Sequence, residues 1–366
     1  MPSAGPSATT CAVAILLASC GGAFADVSFT PLGDLPGGSF FSTATAISSD
    51  GSVIVGYSAT ASSAMPTPFR WTRESGMIPL GLIPDPVAYG FANGLSRDGR
   101  VTVGLSAGSG IRPVKWIAGS GPIELALARR QGRAIGASAD GSVIVGSDEW
   151  VGRQAVMWRG DEPARLLGYL PTHDSSRAMA VSPDGSLVVG WGQGPGISPT
   201  AFRWTEAEGM QPFDPPEATI TMGIPYTFSD DGTTIVGRTK SFVASRWTAE
   251  TGTVALPHLA GVITVREAFA VSADGSTIGG RGATESGDGG FIWTLSGGTE
   301  LAFDFFTRHG LTLSGWQISV IAGVSADGKT FTGTGVHDGV TEAFVAVIPA
   351  PGVIAPFAIL VCRRRR

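Results

Sequence analysis

The sequence predicts an all-β, seven-bladed β-propeller of four-stranded blades, the last blade closed by the N-terminal strand. Three observations predict it. A phrase, Ser-x-Asp-Gly followed by a β-branched run ending in Gly, stands whole as SSDGSVIVG over 48–56 and returns with its Asp at Asp50, Asp98, Asp140, Asp184, Asp231, Asp274 and Asp327. The intervals are 48, 42, 44, 47, 43 and 53 residues, and a period of about 45 holding several short strands is the signature of propeller blades. The composition agrees: 53 Gly and 24 Pro with 15% charged residues suit short strands joined by tight turns rather than long helices.

Repeat one supplies the elements in order. A first strand is expected over 45–48, a turn at Asp50-Gly51, then strands over 53–57, 69–72 and 77–80. Asp-Gly between two apolar runs is a hairpin signal, read here as a type I′ turn with positive φ at both central positions. Turn formation is thereby the role assigned to all seven Asp residues, because a calcium site needs alternating carboxylates that these loops lack.

The third strand is marked by a residue two before a Trp: Phe69 and Trp71, Val114 and Trp116, Val156 and Trp158, Phe202 and Trp204, Ser245 and Trp247, Phe291 and Trp293. This spacing puts each pair on one face of a strand, and the indoles are expected to fill the space between neighbouring blades. Repeat seven has strands over 320–325, 330–334 and 343–348 but no fourth. Phe29-Thr30-Pro31-Leu32-Gly33 matches the fourth-strand text Met77-Ile78-Pro79-Leu80-Gly81. The N-terminal strand is therefore expected to complete the last blade and remove the open edges.

The two ends read as addresses. Residues 1–25 hold no charged side chain, an apolar run over 11–18, and Ala23-Phe24-Ala25 before Asp26, the pattern of a signal peptide cut by signal peptidase between Ala25 and Asp26. Leu17-Ala18-Ser19-Cys20 resembles a lipoprotein box, the alternative in which Cys20 is lipidated. Either route exports the body, 26–348.

At the other end, 349–366, Pro349-Ala350-Pro351-Gly352 precedes the apolar VIAPFAILVC and four arginines. The apolar run is about half a membrane span, and the arginines would stay cytoplasmic during export. The order of these parts resembles the PEP-CTERM sorting tail, with PAPG in place of the commoner Pro-Glu-Pro form. The resemblance implies an exosortase-like processing enzyme acting near Pro349 and Pro351.

Composition excludes several classes. Cysteine occurs only at Cys11, Cys20 and Cys362, so the body has no disulfide and no cysteine-ligated zinc. The net charge of −5 includes the four terminal arginines; without them 21 basic face 30 acidic side chains, or −9. A chain this acidic, with no basic stripe, lacks the footprint of a nucleic-acid binder.

SPDGSLVVG over 182–190 is similar to the WD40-like repeat of TolB-type propellers. LGDLPGGSF, SSDGSVIVGYS and FRWT, with the closing GVSADG and EAFVAVIP, resemble the extracellular HAF-repeat proteins over about 32–349. That resemblance implies an exported repeat protein and no particular reaction.

Catalytic motifs dissolve in the repeat register. Gly104-Leu105-Ser106-Ala107-Gly108 fits a nucleophile elbow, which requires a strand-to-helix turn. VTVGLSAG, however, aligns with VIVGYSAT at the end of a second strand. His173, His258, His309 and His337 form no H-x-x-x-H pair. No catalytic, metal or cofactor residue is assigned.

Arg70, Lys115, Arg203 and Arg246 share one slot in strand three. They either ring a common ligand or, as expected, pack their stems and pair with acids such as Glu74, Glu206, Glu208 and Glu250. Trp150 and Trp191 follow the second strands of adjacent repeats, a candidate pair for stacking on sugar rings rather than packing on local Gly-rich loops. Trp316 also lies outside the strand-three slot.

The expected function is that of an exported, noncatalytic binding or structural module of the cell surface or extracellular matrix, with polysaccharide as ligand. The rivals are a glycan-active enzyme, which needs paired carboxylates near the axis, and a scaffold for envelope proteins.

Overall fold

The computed structural model describes residues 27–349 apart from 61–62, 128–130, 151, 161, 260–262 and 286. The chain runs β1(Ser28–Pro31); blade 1, β2(Ser42–Ile47), β3(Val53–Thr60), β4(Ser63–Thr72), β5(Gly76–Pro79); blade 2, β6(Tyr89–Leu95), β7(Val101–Ala107), β8(Ile111–Ile117), β9(Pro122–Glu124); and blade 3, β10(Gly132–Ala137), β11(Val143–Asp148), β12(Gln154–Arg159), β13(Arg165–Leu166). Blade 4 is β14(Ser175–Val181), β15(Leu187–Gly194), β16(Ile197–Thr205), β17(Gly209–Pro212). Blade 5 is β18(Met222–Phe228), β19(Thr234–Thr239), β20(Ala244–Thr248), β21(Gly252–Ala255). Blade 6 is β22(Thr264–Val271), β23(Thr277–Thr284), β24(Gly287–Thr294), β25(Gly298–Leu301). After α1(Ala302–Arg308) come β26(Trp316–Val324), β27(Thr330–His337) and β28(Val340–Val347).

Each blade is one antiparallel four-stranded sheet, and the seven form a propeller. The seventh sheet has the order β1-β28-β27-β26, so the N-terminal strand is its outermost member. Ser28 pairs with Val347 and Pro31 with Phe344. Blade 1 packs on blade 7 through β2 against β26, β27 and β28, which closes the ring.

The repeated phrase builds each hairpin, but with a turn other than type I′. The Gly51 N–H donates to the Ser48 carbonyl at 2.9 Å, and only the glycine is left-handed, with φ between 69° and 74° at Gly51, Gly99, Gly141, Gly185, Gly232, Gly275 and Gly328. The Asp keeps negative φ because its side chain, not its backbone, organises the loop: Asp50 Oδ1 accepts from Ser48 Oγ and from the Ser52 N–H at 2.9 Å. Ser48 Oγ in turn accepts the Val53 N–H at 3.0 Å.

The strand-three indoles lie between blades. Trp158 Nε1 donates to the Ala126 carbonyl, leaving blade 2, at 2.8 Å, and Trp116 Nε1 to the Gly81 carbonyl, leaving blade 1, at 3.1 Å. The apolar clusters accordingly bridge neighbours: Trp204 packs with Val143, Val145 and Met157 of blade 3, and Trp71 with Ala343 and Val345 of blade 7. Helix α1 fills the one enlarged interval, between blades 6 and 7, and buries Phe305 and Phe306 against Phe331. Among the described residues no helix is long and apolar enough to cross a membrane.

Candidate functional site

The side chains that escape the repeat converge on the axis. Every inner strand carries a β-bulge at one register, between Ala44 and Ala46, Ala92 and Gly94, Ala134 and Gly136, Ala178 and Ala180, Pro225 and Thr227, Ala268 and Ala270, and Ile321 and Gly323. A bulge turns its extra residue off the pleat. The seven extra residues, Thr45, Asn93, Ile135, Met179, Tyr226, Phe269 and Ala322, all line an axial cavity of about 390 Å³.

The bulge also explains the glycine that ends the phrase. The inner-strand carbonyl before the bulge is driven against the second strand, so that a Cβ at Gly56 would lie 2.0 Å from the Thr43 carbonyl oxygen. At Gly104 it would lie 1.9 Å from that of Phe91, and at Gly237 2.2 Å from that of Ile224. The strand-three aromatic covers the vacated surface, Phe69 lying 2.8 Å from the same point at Gly56.

At the turn end the cavity is crossed by a polar strut. Arg97 of blade 2 reaches Asp230 of blade 5 as an ion pair, and Ser49 Oγ of blade 1 donates to the same carboxylate. Arg97 Nη2 also donates to the Phe228 and Ser229 carbonyls, both at 3.0 Å. Burial pushes the Arg97 guanidinium down to about 10, with Asp231 opposing; it remains a cation at neutral pH.

Around the strut, the turns are joined backbone to backbone. Ser49 N–H donates to Arg97 O, Asp98 to Ala139 O, Ala139 to Pro183 O, Asp231 to Ala273 O, Ala273 to Ala326 O and Ala326 back to Ser49 O. The step from blade 4 to blade 5 lacks such a bond because Pro183 has no N–H.

Two ionic groups sit at the opposite face, where the inner strands begin. Between blades 5 and 6, Glu267 accepts from Tyr226 Oη at 2.7 Å and Arg281 Nε at 2.6 Å, with Arg238 Nε at 3.6 Å. Burial first, then the Glu267 carboxylate, pushes the Tyr226 hydroxyl up. Between blades 3 and 4, Glu149 meets three arginines: Arg177 Nη2 at 2.8 Å, Arg153 Nε at 3.0 Å and Arg133 Nε at 3.1 Å. Ser147 Oγ donates to it at 2.7 Å. Burial opposes ionisation of Glu149, but Ser147 and the three guanidiniums outweigh it and hold the carboxyl below its ordinary range.

The two candidate stacking residues border this second group. Trp150 follows Glu149 directly and is 46% exposed. Trp191 lies opposite Arg177 in the sheet, is only 9% exposed, and has the Arg177 guanidinium 5.7 Å from its ring centroid. The two share a rim and connect through Arg177 and Glu149, but one side chain is exposed and the other buried. Trp316 is buried and stacks on His337 at 4.6 Å. The processing residues Cys20, Ala25, Asp26 and Pro351 lie outside the described residues; Pro349 is exposed just beyond β28.

The strand-three cations do not encircle a ligand. Arg70 donates to the Gly99 carbonyl at 2.8 Å, Arg203 pairs with Glu208 at 3.0 Å, and Arg246 lies 5.2 Å from the Trp293 ring centroid of the next blade. Ser106 of the Gly-x-Ser-x-Gly text is buried inside β7 and its Oγ accepts the Ile83 N–H at 3.0 Å. It is a strand residue with a structural partner. Neither the bulge set nor the Glu149 group stands out in the text, since the first requires strand register and the second joins residues of two blades.

The fold and axial site define a seven-bladed β-propeller. No protein-family model matches the chain, and no curated protein matches it. Among solved structures it is similar to a putative TolB from Agrobacterium tumefaciens, at 16% identity and TM-score 0.46 over 76% of this chain and 96% of that one. It is similar also to TolB from Acinetobacter baumannii, at 12% and 0.47 over 69% and 64%. With a prolyl endopeptidase structure the TM-score is 0.54 at 9% identity, over 85% of this chain and 51% of that one. The chain thus spans about half the length of the prolyl endopeptidase chain. At this identity the likeness concerns the fold alone.

Proposed function

We propose that this protein is an exported, noncatalytic binding module of the cell surface or extracellular matrix that takes polysaccharide on the face opposite the Ser-x-Asp-Gly turns. The observation that carries the reading is the exposure of the Trp150 side chain on that face. A flat amphipathic ring can lie against the apolar face of a sugar. A body without cysteine, between a signal-like N-terminus and a PEP-CTERM-like tail, supports an exported address reached with the help of signal peptidase and an exosortase-like enzyme.

A binding role is favoured over glycan hydrolysis by the occupancy of the axial carboxylate. Hydrolysis needs two acids flanking the bond, whereas Asp230 of the cavity wall is engaged by Arg97 and Ser49. The test is a screen of the full chain against glycans and envelope extract, repeated with Trp150→Ala. Binding to one or more glycans, weakened roughly tenfold by the loss of one aromatic contact, is expected. Glycan affinity untouched by Trp150→Ala removes the site, and capture of envelope proteins without any glycan supports the scaffold reading instead.

A further inference from the structure

The axial cavity has no part in the glycan reading, and its wall suits a ligand of another kind. The residue before each bulge is buried, whereas each of the seven extra residues is half-buried and lines the cavity. The surface these side chains keep is therefore offered to the axis. At about 390 Å³ the space falls within the range of small-molecule sites, about 300–1,000 Å³ of mostly apolar wall with a few placed polar groups.

The seven positions are equivalent in the repeat but not in chemistry. Blades 5 and 6 contribute Tyr226 and Phe269, whose ring centroids lie 4.9 Å apart at an interplanar angle of 57°. Both rings have partners in the protein: Tyr226 Oη donates to Glu267 at 2.7 Å, and the Arg281 guanidinium lies 5.8 Å from the Phe269 centroid. Both nonetheless keep part of their surface on the cavity wall. In a ring of seven, the blade opposite 5 and 6 is blade 2, which contributes Asn93. Blade 7 contributes only the methyl of Ala322. An aromatic side thus faces a carboxamide across the axis, with room left beside them.

The polar groups of the wall narrow the ligand further. Among the described residues, the charged side chains of the wall are Arg97 and Asp230, and they pair with each other, so the wall carries no uncompensated charge. The hydroxyl protons are also used within the protein: Thr45 Oγ1 donates to the Ala92 carbonyl at 2.8 Å, Ser49 Oγ to Asp230, and Thr227 Oγ1 to the Phe228 carbonyl at 3.5 Å. Asn93 Nδ2 donates to the Ala134 carbonyl at 2.8 Å. That bond fixes the carboxamide, and its Oδ1 has no hydrogen bond among the described residues. An acceptor left open on a self-paired wall selects a ligand that donates. We infer that the axial cavity binds a neutral, planar aromatic molecule bearing an N–H or O–H, its ring against Tyr226 and Phe269 and its donor on Asn93 Oδ1. The strut closes the turn end, so the molecule enters from the opposite face. This site stands independently of the glycan reading.

The test measures dissociation constants of the full chain by ligand-observed NMR for three probes. They are indole, benzofuran, in which an oxygen replaces the N–H of the same bicycle, and indole-3-acetate, which adds a carboxylate. Indole should bind more tightly than benzofuran by roughly fivefold or more, the worth of one hydrogen bond, and more tightly than indole-3-acetate. Asn93→Leu should weaken indole by the same factor and leave benzofuran unchanged. Ala322→Phe, which fills the cavity from blade 7, should abolish binding of both.

Equal affinity for indole and benzofuran overturns the pairing with Asn93, and tighter binding of indole-3-acetate overturns the neutral class. Binding that survives Ala322→Phe puts the ligand elsewhere, and no binding of any probe removes the site. The probe series uses the unaltered protein, so it decides even where a variant folds poorly.

Discussion

At the scale of the residue, the seven Asp side chains act as internal braces. In blade 3 the Asp140 carboxylate accepts the Ser142 N–H at 2.9 Å and the Ser138 hydroxyl at 2.8 Å, and the Ser142 amide and hydroxyl, then Ser138, hold its pKa below the ordinary value. Asp184 and Asp274 are lowered by the corresponding donors, led by the Ser182 hydroxyl and the Ser276 N–H respectively. Because the folded pKa values lie below the unfolded value of about 3.9, these groups contribute stability fully above that pH. The contribution disappears as pH falls through the folded values. Urea midpoints should therefore be level from about pH 7 to pH 5 and fall from about pH 4 downward. Asp140→Asn, which keeps the acceptor oxygen but not the charge, should lower the midpoint at pH 7 and converge on wild type near pH 2. A midpoint that rises on acidification from pH 4, or a variant gap that widens there, contradicts this assignment.

At the scale of the element, the inner hairpin links three features that look separate in the sequence. The bulge sends one side chain to the axis, the preceding carbonyl moves onto the second strand, and only a residue without Cβ fits opposite. Gly56→Ala would place a methyl 2.0 Å from the Thr43 oxygen and 2.8 Å from the Phe69 ring, so overpacking of about 3 kcal/mol is expected. Gly121→Ala, with nothing within 4 Å, should stay within about 0.5 kcal/mol of wild type. Equal denaturation midpoints for the two variants would refute the coupling of glycine to bulge. The glycines at 56, 104 and 146 were plain in the sequence as a repeat, but their cause was not, because a bulge is set by pairing between strands rather than by the text of one. The turn shows the same limit: Asp-Gly marked its place, whereas its type depended on the Asp side chain capping its own loop. Trp150 and Trp191 aligned in the text and part company in space because Trp191 lies inside β15 under Arg177 of the neighbouring strand, whereas Trp150 falls beyond the end of β11. Helix α1 was missed because AFDFFTR offers a single apolar face of seven residues with no side-chain N-cap.

At the scale of the whole molecule, the period of the phrase made the blade count legible, and the missing fourth strand of repeat seven made the closure legible. The binding face was less so, since it is composed of residues brought together across blade boundaries. Closure now carries the sharpest stability prediction. The N-terminal strand is bound to blade 7 by its ladder with β28, by the Leu32 N–H to the Ala343 carbonyl at 2.9 Å and by the Gly33 N–H to Glu342 Oε1 at 3.1 Å. Phe29 stacks on Phe344 with centroids 4.9 Å apart and meets Trp316 edge-on at 5.0 Å, and Leu32 is buried. Removing residues 26–33 strips the buried Leu32 and the partly buried Phe29 from the core, a loss of about 3–6 kcal/mol at 1.5–3 kcal/mol each. It also leaves β28 as an unpaired edge. At roughly 2 °C per kcal/mol for a chain of this size, Tm should fall by about 6–12 °C. The bare edge should promote association through strand pairing, visible as concentration-dependent growth in size-exclusion chromatography. An N-terminal strand that only decorates a ring already closed would leave both Tm and size unchanged, and that result would rule out the shared seventh blade as the clasp of the propeller.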